Sequence, residues 1–330
     1  MTQWPAVAVV MPVLNEANYL KAAVDAILSQ DYPGQVQVVL ALGPSTDGTD
    51  LIASELVKVD PRVITIANPS GRTPDGLNAA LAATEQEIVV RVDAHSELCD
   101  GYIRLAVETL QRTGADNVGG IMGAVGVTKF ESAVAAAMTS PLGVGSAPFH
   151  TGGAQGPADT VYLGVFKRSA LERIGGYDST FTRAQDWEMN YRIRAIGGTV
   201  WFNPNLSVTY RPRPNVFKLA KQYFEYGTWR HEVMRRHPDT RRTKSALRYF
   251  APPLAVALIV IGKVLGTVGF VMSNFLIWAY AFPFGYLALT LLSSLTLIKR
   301  ARGGALWVPI VLMTMQMSWG IGFLTSRNKR

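Results

Sequence analysis

The chain has one cysteine, Cys99. No intrachain disulfide can form, and nothing requires an oxidising compartment. No acidic residue follows Asp239, which argues against reading the last third as buried helices of a soluble domain. Met1 to Leu14 carries no Lys or Arg and runs into the polar Asn15-Glu16. That is no secretory signal, so the polar part is expected to stay in the cytosol. There is no Walker phosphate loop, no CxxC pair and no G-x-S-x-G elbow, which disfavours NTPase, zinc and serine-hydrolase chemistry. Internal repeats and low-complexity tracts are also missing.

What is present is unevenly distributed. The 330 residues carry a net charge of +8 and are 48% hydrophobic. Residues 1–210 hold 14 Lys/Arg against 21 Asp/Glu, residues 211–248 hold 11 against 3, and residues 249–330 hold 7 against none. An acidic domain (1–210) is thus followed by a basic helical collar (211–248) and an apolar tail (249–330). Basic charge beside apolar runs suits anionic lipid head groups, at roughly 1 kcal/mol per Lys or Arg, better than nucleic acid. The tail holds three apolar stretches, about 250–272, 275–298 and 305–325, each near the ~20 residues that cross a bilayer. Lys263 interrupts the first and should face a partner helix or a lipid phosphate. The positive-inside rule puts the collar and the Lys299-Arg300-Arg302 loop on the cytosolic side, joined by a hairpin turning at Ser273-Asn274. A third span puts Arg327, Lys329 and Arg330 outside, against the rule. A multi-pass protein of the cell membrane is expected, with a cytoplasmic catalytic domain.

In the first domain, strands at 7–13, 36–42, 63–67 and 87–92 alternate with helices at 19–29, 49–57 and 76–83. That alternation predicts a parallel α/β sheet, with ligands at the carboxyl ends of its strands. Residues 143–157, rich in Gly and Pro, read either as a flexible lid or as a surface connection.

Two clusters carry chemistry. In Arg91-Val92-Asp93-Ala94-His95, an acid and an imidazole two residues apart on an extended segment point the same way. They suit a divalent cation shared with a diphosphate, or are simply a solvated strand end. In Gln185-Asp186-Trp187-Glu188, followed by Arg192 and Arg194, the acids could bind metal, serve as a general base, or only favour a helix start. His150, His231 and His237 are lone histidines, which are more often structural than ligating.

The order of these pieces resembles the inverting family-2 glycosyltransferases, whose domain is the GT-A fold, a Rossmann-like mixed α/β sheet. VVMPVLNEANYL is similar to that family's first strand and donor loop, and PSTDGT to its second-strand turn. VDAH stands in the place of its D-x-D motif, and AQDWEMNYRIR in that of E-D-x-(D/E)-L-x-x-R. SPLGVGSAPFHTGG, DTVYLGVFKRSALERIGGYD and the apolar tail resemble the succinoglycan-type exopolysaccharide transferases. The resemblance implies that Pro12, Asn15 and Glu16 line the donor pocket. Arg72, Gly76 and Asn78 lie near the nucleotide. Asp93 binds ribose or metal, and His95 takes the second ligand place, with Mn²⁺ or Mg²⁺ as the ion. Asp186 is the base, supported by Glu188 and Arg192. Gly164 lies under the acceptor sugar, and Trp229 and Arg230 take the place of an interface motif, although the order Q-x-x-R-W is absent. Leu42-Gly43 replaces the usual Asp-Asp, so the acid that reads uracil is missing, and Gln185 replaces a Glu. The implied activity is transfer from a nucleotide-sugar donor to a lipid-linked or growing glycan acceptor, in cell-surface polysaccharide or glycolipid synthesis. Membrane lipids are expected partners and nucleic acid is not; the sequence names no oligomeric state. A membrane-bound nucleotidyltransferase and a non-catalytic nucleotide-sugar-binding adaptor are the rival readings.

Overall fold

The computed structural model describes residues 4–242, 247–272 and 274–326. Lys244, Ser273, Arg327, Lys329 and Arg330 lie outside the described residues. The chain divides into two compact units, one of residues 1–123 and 148–210, the other of residues 124–147 and 211–330. The segment 124–147 therefore groups with the tail, where the sequence suggests an unbroken first domain.

The first stretch runs β1 (Val7–Val13), α1 (Leu20–Leu28), β2 (Val36–Leu42), α2 (Thr49–Val59), β3 (Val63–Ala67), α3 (Thr73–Ala82), β4 (Ile88–Arg91), β5 (Glu97–Leu98), α4 (Tyr102–Thr113) and β6 (Asn117–Ala124). Two helices of the second unit follow, α5 (Lys129–Met138) and α6 (Pro141–Val144). The first unit resumes with α7 (Pro148–Thr151), β7 (Gly156–Pro157), β8 (Tyr162–Lys167), α8 (Arg168–Arg173), α9 (Gln185–Ala195) and β9 (Val200–Tyr210). The second unit closes with α10 (Val216–Arg236), α11 (Leu247–Met272), α12 (Ala281–Leu295) and α13 (Val308–Leu324).

In the first unit the strands form one nine-stranded sheet, ordered β3-β2-β1-β4-β8-β6-β9-β5 with β7 on β9. The first four are parallel. The alternation of strands and helices accounts for this parallel part; beyond it β8 enters antiparallel beside β4 and pairs antiparallel with β6, as the resemblance to a mixed sheet implies. The sheet is mixed. Its centre is buried on both faces, which is why β1, β2 and β4 read as near-continuous apolar runs. Side chains alternate between the faces. Val7, Val9, Met11, Val38, Leu40 and Val90 meet α1 and α4 through Val24, Ile27, Ile103 and Leu110. Val10, Val39, Ala41 and Val89 meet Leu77 and Ala80 of α3 and Met189 and Ile193 of α9.

Residues 143–157 are not a structureless loop. Ser140 caps α6 by accepting from the Leu142 amide, Pro141 and Pro148 open short helices, and Gly156 and Pro157 pair with Phe202 and Trp201. Gly145, Gly152 and Gly153 supply the positive-φ turns between these pieces.

In the second unit, helices spanning Arg248–Met272, Asn274–Leu295 and Ala305–Leu324 are long and apolar enough to cross a membrane. Lys263 is exposed on α11. Gly262, Gly266 and Gly269 form the α11 surface on which residues 277–283 return, and a Cβ on Gly266 would strike the Tyr280 ring. Small residues let helix backbones approach where lipid supplies no hydrophobic drive. The sequence presents α10 as part of a charged collar, but within its unit α10 packs closely along α13. A Cβ on Gly227 would run into the Trp319 carbonyl, and one on Gly322 into the Phe224 carbonyl. The Thr228 hydroxyl donates to the Phe224 and Gly322 carbonyls. Three collar arginines serve the helix itself: Glu232 accepts from Arg235 and Arg236, and Arg241 donates to the Met234 carbonyl.

Gly227→Val should therefore lower the thermal midpoint in detergent by the equivalent of ~1–3 kcal/mol or more, the usual cost of overpacking. Gly285→Ala is the control, since nothing lies within 4 Å of its added methyl. It should be neutral or stabilising. Equal behaviour of the two would refute the close crossing.

Candidate active site

The carboxyl ends of β1, β2 and β4 adjoin, and three loops leave from them. The loop after β1 is stitched to the loop after β2. Asn15 donates its amide to the Ser45 hydroxyl at 3.0 Å and accepts the Thr46 amide at 2.8 Å through Oδ1. The Glu16 amide donates to Thr49 Oγ1, and the Ala17 amide to Asp47 Oδ2. Asp47 also accepts from the Thr49 hydroxyl and amide. The Thr49 bond, against a smaller opposing effect of burial and with help from the Ala17 and Thr49 amides, holds the Asp47 carboxyl below its usual range. PSTDGT is thus a clamp whose side chains fix the backbone at Asn15, Glu16 and Ala17.

Beyond β4 the chain leaves the strand at Arg91, and Asp93–Ser96 is a turn closed by the Ser96 amide on the Asp93 carbonyl. The extended D-x-H segment is corrected to a turn, because neither Asp93 nor His95 is in the ladder. His95 Nδ1 instead lies 2.8 Å from Glu16 Oε1. With Nδ1–H donating to the carboxylate, Nε2 is the acceptor nitrogen of the ring, the arrangement of a metal-binding histidine.

Arg91 shares a sheet face with Val89, since they stand two residues apart. Its side chain is 4% exposed. Nη2 lies 3.1 Å from Asp93 Oδ1, Nη1 contacts Asp186 Oδ1, and the guanidinium stands 5.9 Å from the Tyr177 ring centre. Burial pushes the Asp93 carboxyl up, but Arg91, joined by His95 and Arg183, outweighs it and holds the group low. Burial also raises the Tyr177 phenol to about 12, against the opposing charge of Arg91.

Asp186 lies in the first turn of α9, where the helix dipole favours a carboxylate. Glu188, 2% exposed, is taken up by Arg192 through Nε and Nη2 at 2.7 and 2.8 Å. Arg192 Nη1 donates to the Ile174 carbonyl. The pair anchors the helix and is sheltered from solvent. Asn190 completes the anchorage inside the unit, accepting from Asn117 and donating to the Thr160 hydroxyl. Sequence reasoning missed Asn117 and Asn190, because the buried positions of α9 (Gln185, Glu188, Met189, Asn190 and Ile193) mix polar and apolar residues and leave no apolar stripe to mark an inward amide.

Of the remaining residues, Arg72 is exposed and donates to Asp75. Gly76 is glycine because a Cβ would meet the Asn68 amide at 2.7 Å. The Asn78 amide exchanges hydrogen bonds with the backbone of Tyr177. Gly164 has φ +117, and a Cβ there would strike the Phe166 ring and Asn117 Oδ1. Trp229 and Arg230 belong to the second unit, where Trp229 is buried and Arg230 lies 4.0 Å over the Tyr249 ring. Asn15, Leu163 and Ala184, all left-handed non-glycine residues, adjoin Glu16, Gly164 and Gln185-Asp186. Strained backbone of this kind gathers at functional sites. Among the described residues no three His, Cys, Asp or Glu side chains form a cation cage.

A mixed sheet with a clamped loop after β1, an acid past β4 and an acid opening α9 is the arrangement of a GT-A transferase. The Glycosyl transferase family 2 model matches residues 8–175. The chain is 33% identical over 320 residues to the succinoglycan biosynthesis protein ExoA of Rhizobium meliloti (strain 1021), spanning 96% of this chain and 93% of that one. It is 23% identical over 231 residues to a dolichyl N-acetyl-alpha-D-glucosaminyl phosphate diacetamido-dideoxy-glucuronosyltransferase of Methanococcus voltae, spanning 67% and 71%. Its fold is similar to that of the mannosyltransferase PcManGT from Pyrobaculum calidifontis, solved with GDP-Man and Mn2+, at a TM-score of 0.65 and 21% identity over 98% of this chain and 88% of that one. The chain belongs to glycosyltransferase family 2.

The Asp47 clamp gives a pH test. The folded pKa lies below the unfolded value of about 3.9, so its stabilisation is complete above that pH and is lost as pH falls through the folded pKa. Asp47→Ala should unfold at a lower temperature than the parent at pH 7, and the gap should close below about pH 3.9. A gap independent of pH would mean the carboxylate is not its source.

Proposed function

We propose that this glycosyltransferase moves a sugar, with inversion, from a nucleotide-sugar donor to a lipid-linked or growing glycan acceptor at the cytoplasmic membrane face, in the synthesis of a cell-surface polysaccharide. The observation that carries the reading is the placement of Asp186 on α9 against Arg91 and Asp93 at the end of β4. A base and a donor-side acid are brought together from distant parts of the chain. The likeness to a succinoglycan biosynthesis protein supports the polysaccharide. Neither a nucleotidyltransferase nor a silent adaptor has an observation of its own.

In this reading Pro12, Asn15 and Glu16 line the donor pocket, with Arg72 beside it. Gly76 and Asn78 act through packing and through the 176–177 backbone. The acceptor hydroxyl attacks the anomeric carbon opposite the leaving group. Its proton passes to Asp186, the new C–O bond forms as the bond to the phosphate oxygen breaks, and the nucleoside diphosphate departs. Glu188 and Arg192 hold the helix that presents Asp186. Gly164, Trp229 and Arg230 are assigned to the acceptor side. Asp93 and His95 fit a divalent ion shared with the diphosphate, Mn²⁺ or Mg²⁺, because such ions use one or two protein ligands and complete their shell on phosphate. The Glu16-oriented imidazole suits that duty. When bound, the ion neutralises charge on the leaving diphosphate.

Thermal stabilisation of the full-length protein by GDP-mannose, UDP-glucose, UDP-galactose or dTDP-glucose identifies the donor, since a ligand bound only to the native state raises stability. Asp186→Asn should lower turnover ~10²–10⁴-fold with donor affinity nearly unchanged. Asp93→Ala and His95→Ala should instead weaken donor binding in the presence of Mn²⁺, and chelator should mimic them. Retention of more than about half the activity by Asp186→Asn would remove it as the base.

The cytoplasmic orientation rests on the positive charge of residues 211–248 and of the 299–302 loop. Protease added to inverted vesicles should digest the catalytic unit, while protease added to intact spheroplasts should spare it. The opposite pattern rejects this orientation.

A further inference from the structure

Arg91 has no part in the transfer as written above, yet its charged side chain is buried at the site, 4% exposed. A guanidinium withdrawn from water loses several kcal/mol of solvation unless carboxylates replace it. Here two do, and they come from opposite sides of the chemistry: Asp93 follows the donor strand, and Asp186 opens the acceptor-side helix. Arginine suits this place because its fork presents two N–H vectors in one rigid plane. Lysine, a single point charge, cannot hold two separate carboxylates in fixed directions. Tyr177 lies at 5.9 Å from the guanidinium, and its backbone is bound by Asn78, which limits the room in which the fork could swing.

We propose that Arg91 is a positioning residue: its single guanidinium ties the base carboxylate to the donor-side carboxylate, so that the attacking and leaving sides are set at a fixed separation before either substrate arrives. The inference rests on Asp186 being the base. Nη1 engages Oδ1 of Asp186, which leaves Oδ2 as the oxygen to take the acceptor proton. The fork thus selects which oxygen reacts as well as where it stands. The device acts on the order of the transition state more than on donor capture, and that separates it from a simple structural ion pair.

The test uses the full-length protein in vesicles, with nucleoside diphosphate release from whichever of the four nucleotide sugars above stabilises it. Arg91→Lys keeps the charge but loses the fork. Turnover should fall about 100-fold, the scale expected for a reacting group misplaced by about 1 Å, while the donor KM changes by less than about threefold. The double variant Arg91→Lys/Asp186→Asn should be no slower than Asp186→Asn alone, because a residue acting through the base has nothing left to position. Multiplied losses in the double variant would overturn the proposal, since Arg91 would then act elsewhere. Arg91→Lys at parental turnover would overturn it too. If Asp186→Asn is active, the base assignment itself fails. If Asp186→Asn is inactive and Arg91→Lys is not, only the positioning role fails. Should Arg91→Lys lose its unfolding transition, Asp186→Glu decides. It keeps the carboxylate but moves it by one methylene, and turnover should fall at least about tenfold; parental turnover would show that the position fixed by Arg91 does not matter.

Discussion

A buried guanidinium must be neutralised where it stands, and that requirement organises the catalytic unit. Arg91 occupies a position that the alternation of β4 would otherwise give to an apolar side chain, on the face that carries Val89, Leu77 and Met189. Its charge is tolerable only because the chain turns at once to bring Asp93 back under it, and because α9 begins with Asp186 at the same point. The position of α9 is in turn over-determined. Glu188 and Arg192 fasten one side to the Ile174 carbonyl, and Asn190 bridges Asn117 and Thr160 on the other. Buried polar contacts of this kind narrow the geometry, where purely apolar packing would permit small slides.

The loops at the carboxyl ends of β1 and β2 are held differently. The loops after β1 and β2 hold each other through short polar side chains, Asn15, Ser45, Thr46, Asp47 and Thr49, at the rim of the sheet. Individual hydrogen bonds of this kind contribute only ~0.5–1.5 kcal/mol net. Several in parallel fix the left-handed turn at Asn15 and present Glu16 toward His95. The imidazole is therefore oriented from the first strand although it belongs to the fourth. A divalent ion at that point would join two loops that the apo chain already links through a proton.

The strands and helices of the parallel half are legible in the sequence because burial on both faces leaves unbroken apolar runs, as in Val7–Val13 and Val36–Leu42. Strand β8 is harder to read. Leu163 and Gly164 take positive φ and interrupt the pleat, and its antiparallel partners lie far along the chain. The two acid clusters stand out by composition. Their union through Arg91 does not, because an Arg before an acid looks like any solvated strand end until α9 is placed. Residues 143–157 mislead for a related reason. Gly and Pro signal irregularity, and they cannot show that the irregular backbone will find a strand partner in Phe202 and Trp201.

The second unit carries the same lesson in apolar form. Charge and hydropathy mark a basic stretch and three apolar stretches, which coincide with three helices long and apolar enough to cross a membrane, but they say nothing about which helix touches which. In lipid an apolar side chain gains little by turning from a tail to a neighbouring helix, so packing is decided where backbones can come close. Gly227, Gly320 and Gly322 mark those places, with carbonyls of Trp319, Pro252 and Phe224 against them. Glycine in mid-helix weakens a helix by roughly 0.5–1 kcal/mol relative to alanine, so three at crossings are tolerated only where the contact returns more than that. On this ground α10 is as much a part of the packed helices as α11 and α13 are. Its arginines are spent first on its own carboxyl end, at Glu232 and the Met234 carbonyl, before any lipid head group is reached. Gly227 and the arginines that close on Glu232 lie on one helix. A change at Gly227 therefore acts on the crossing of α10 and α13 within this unit.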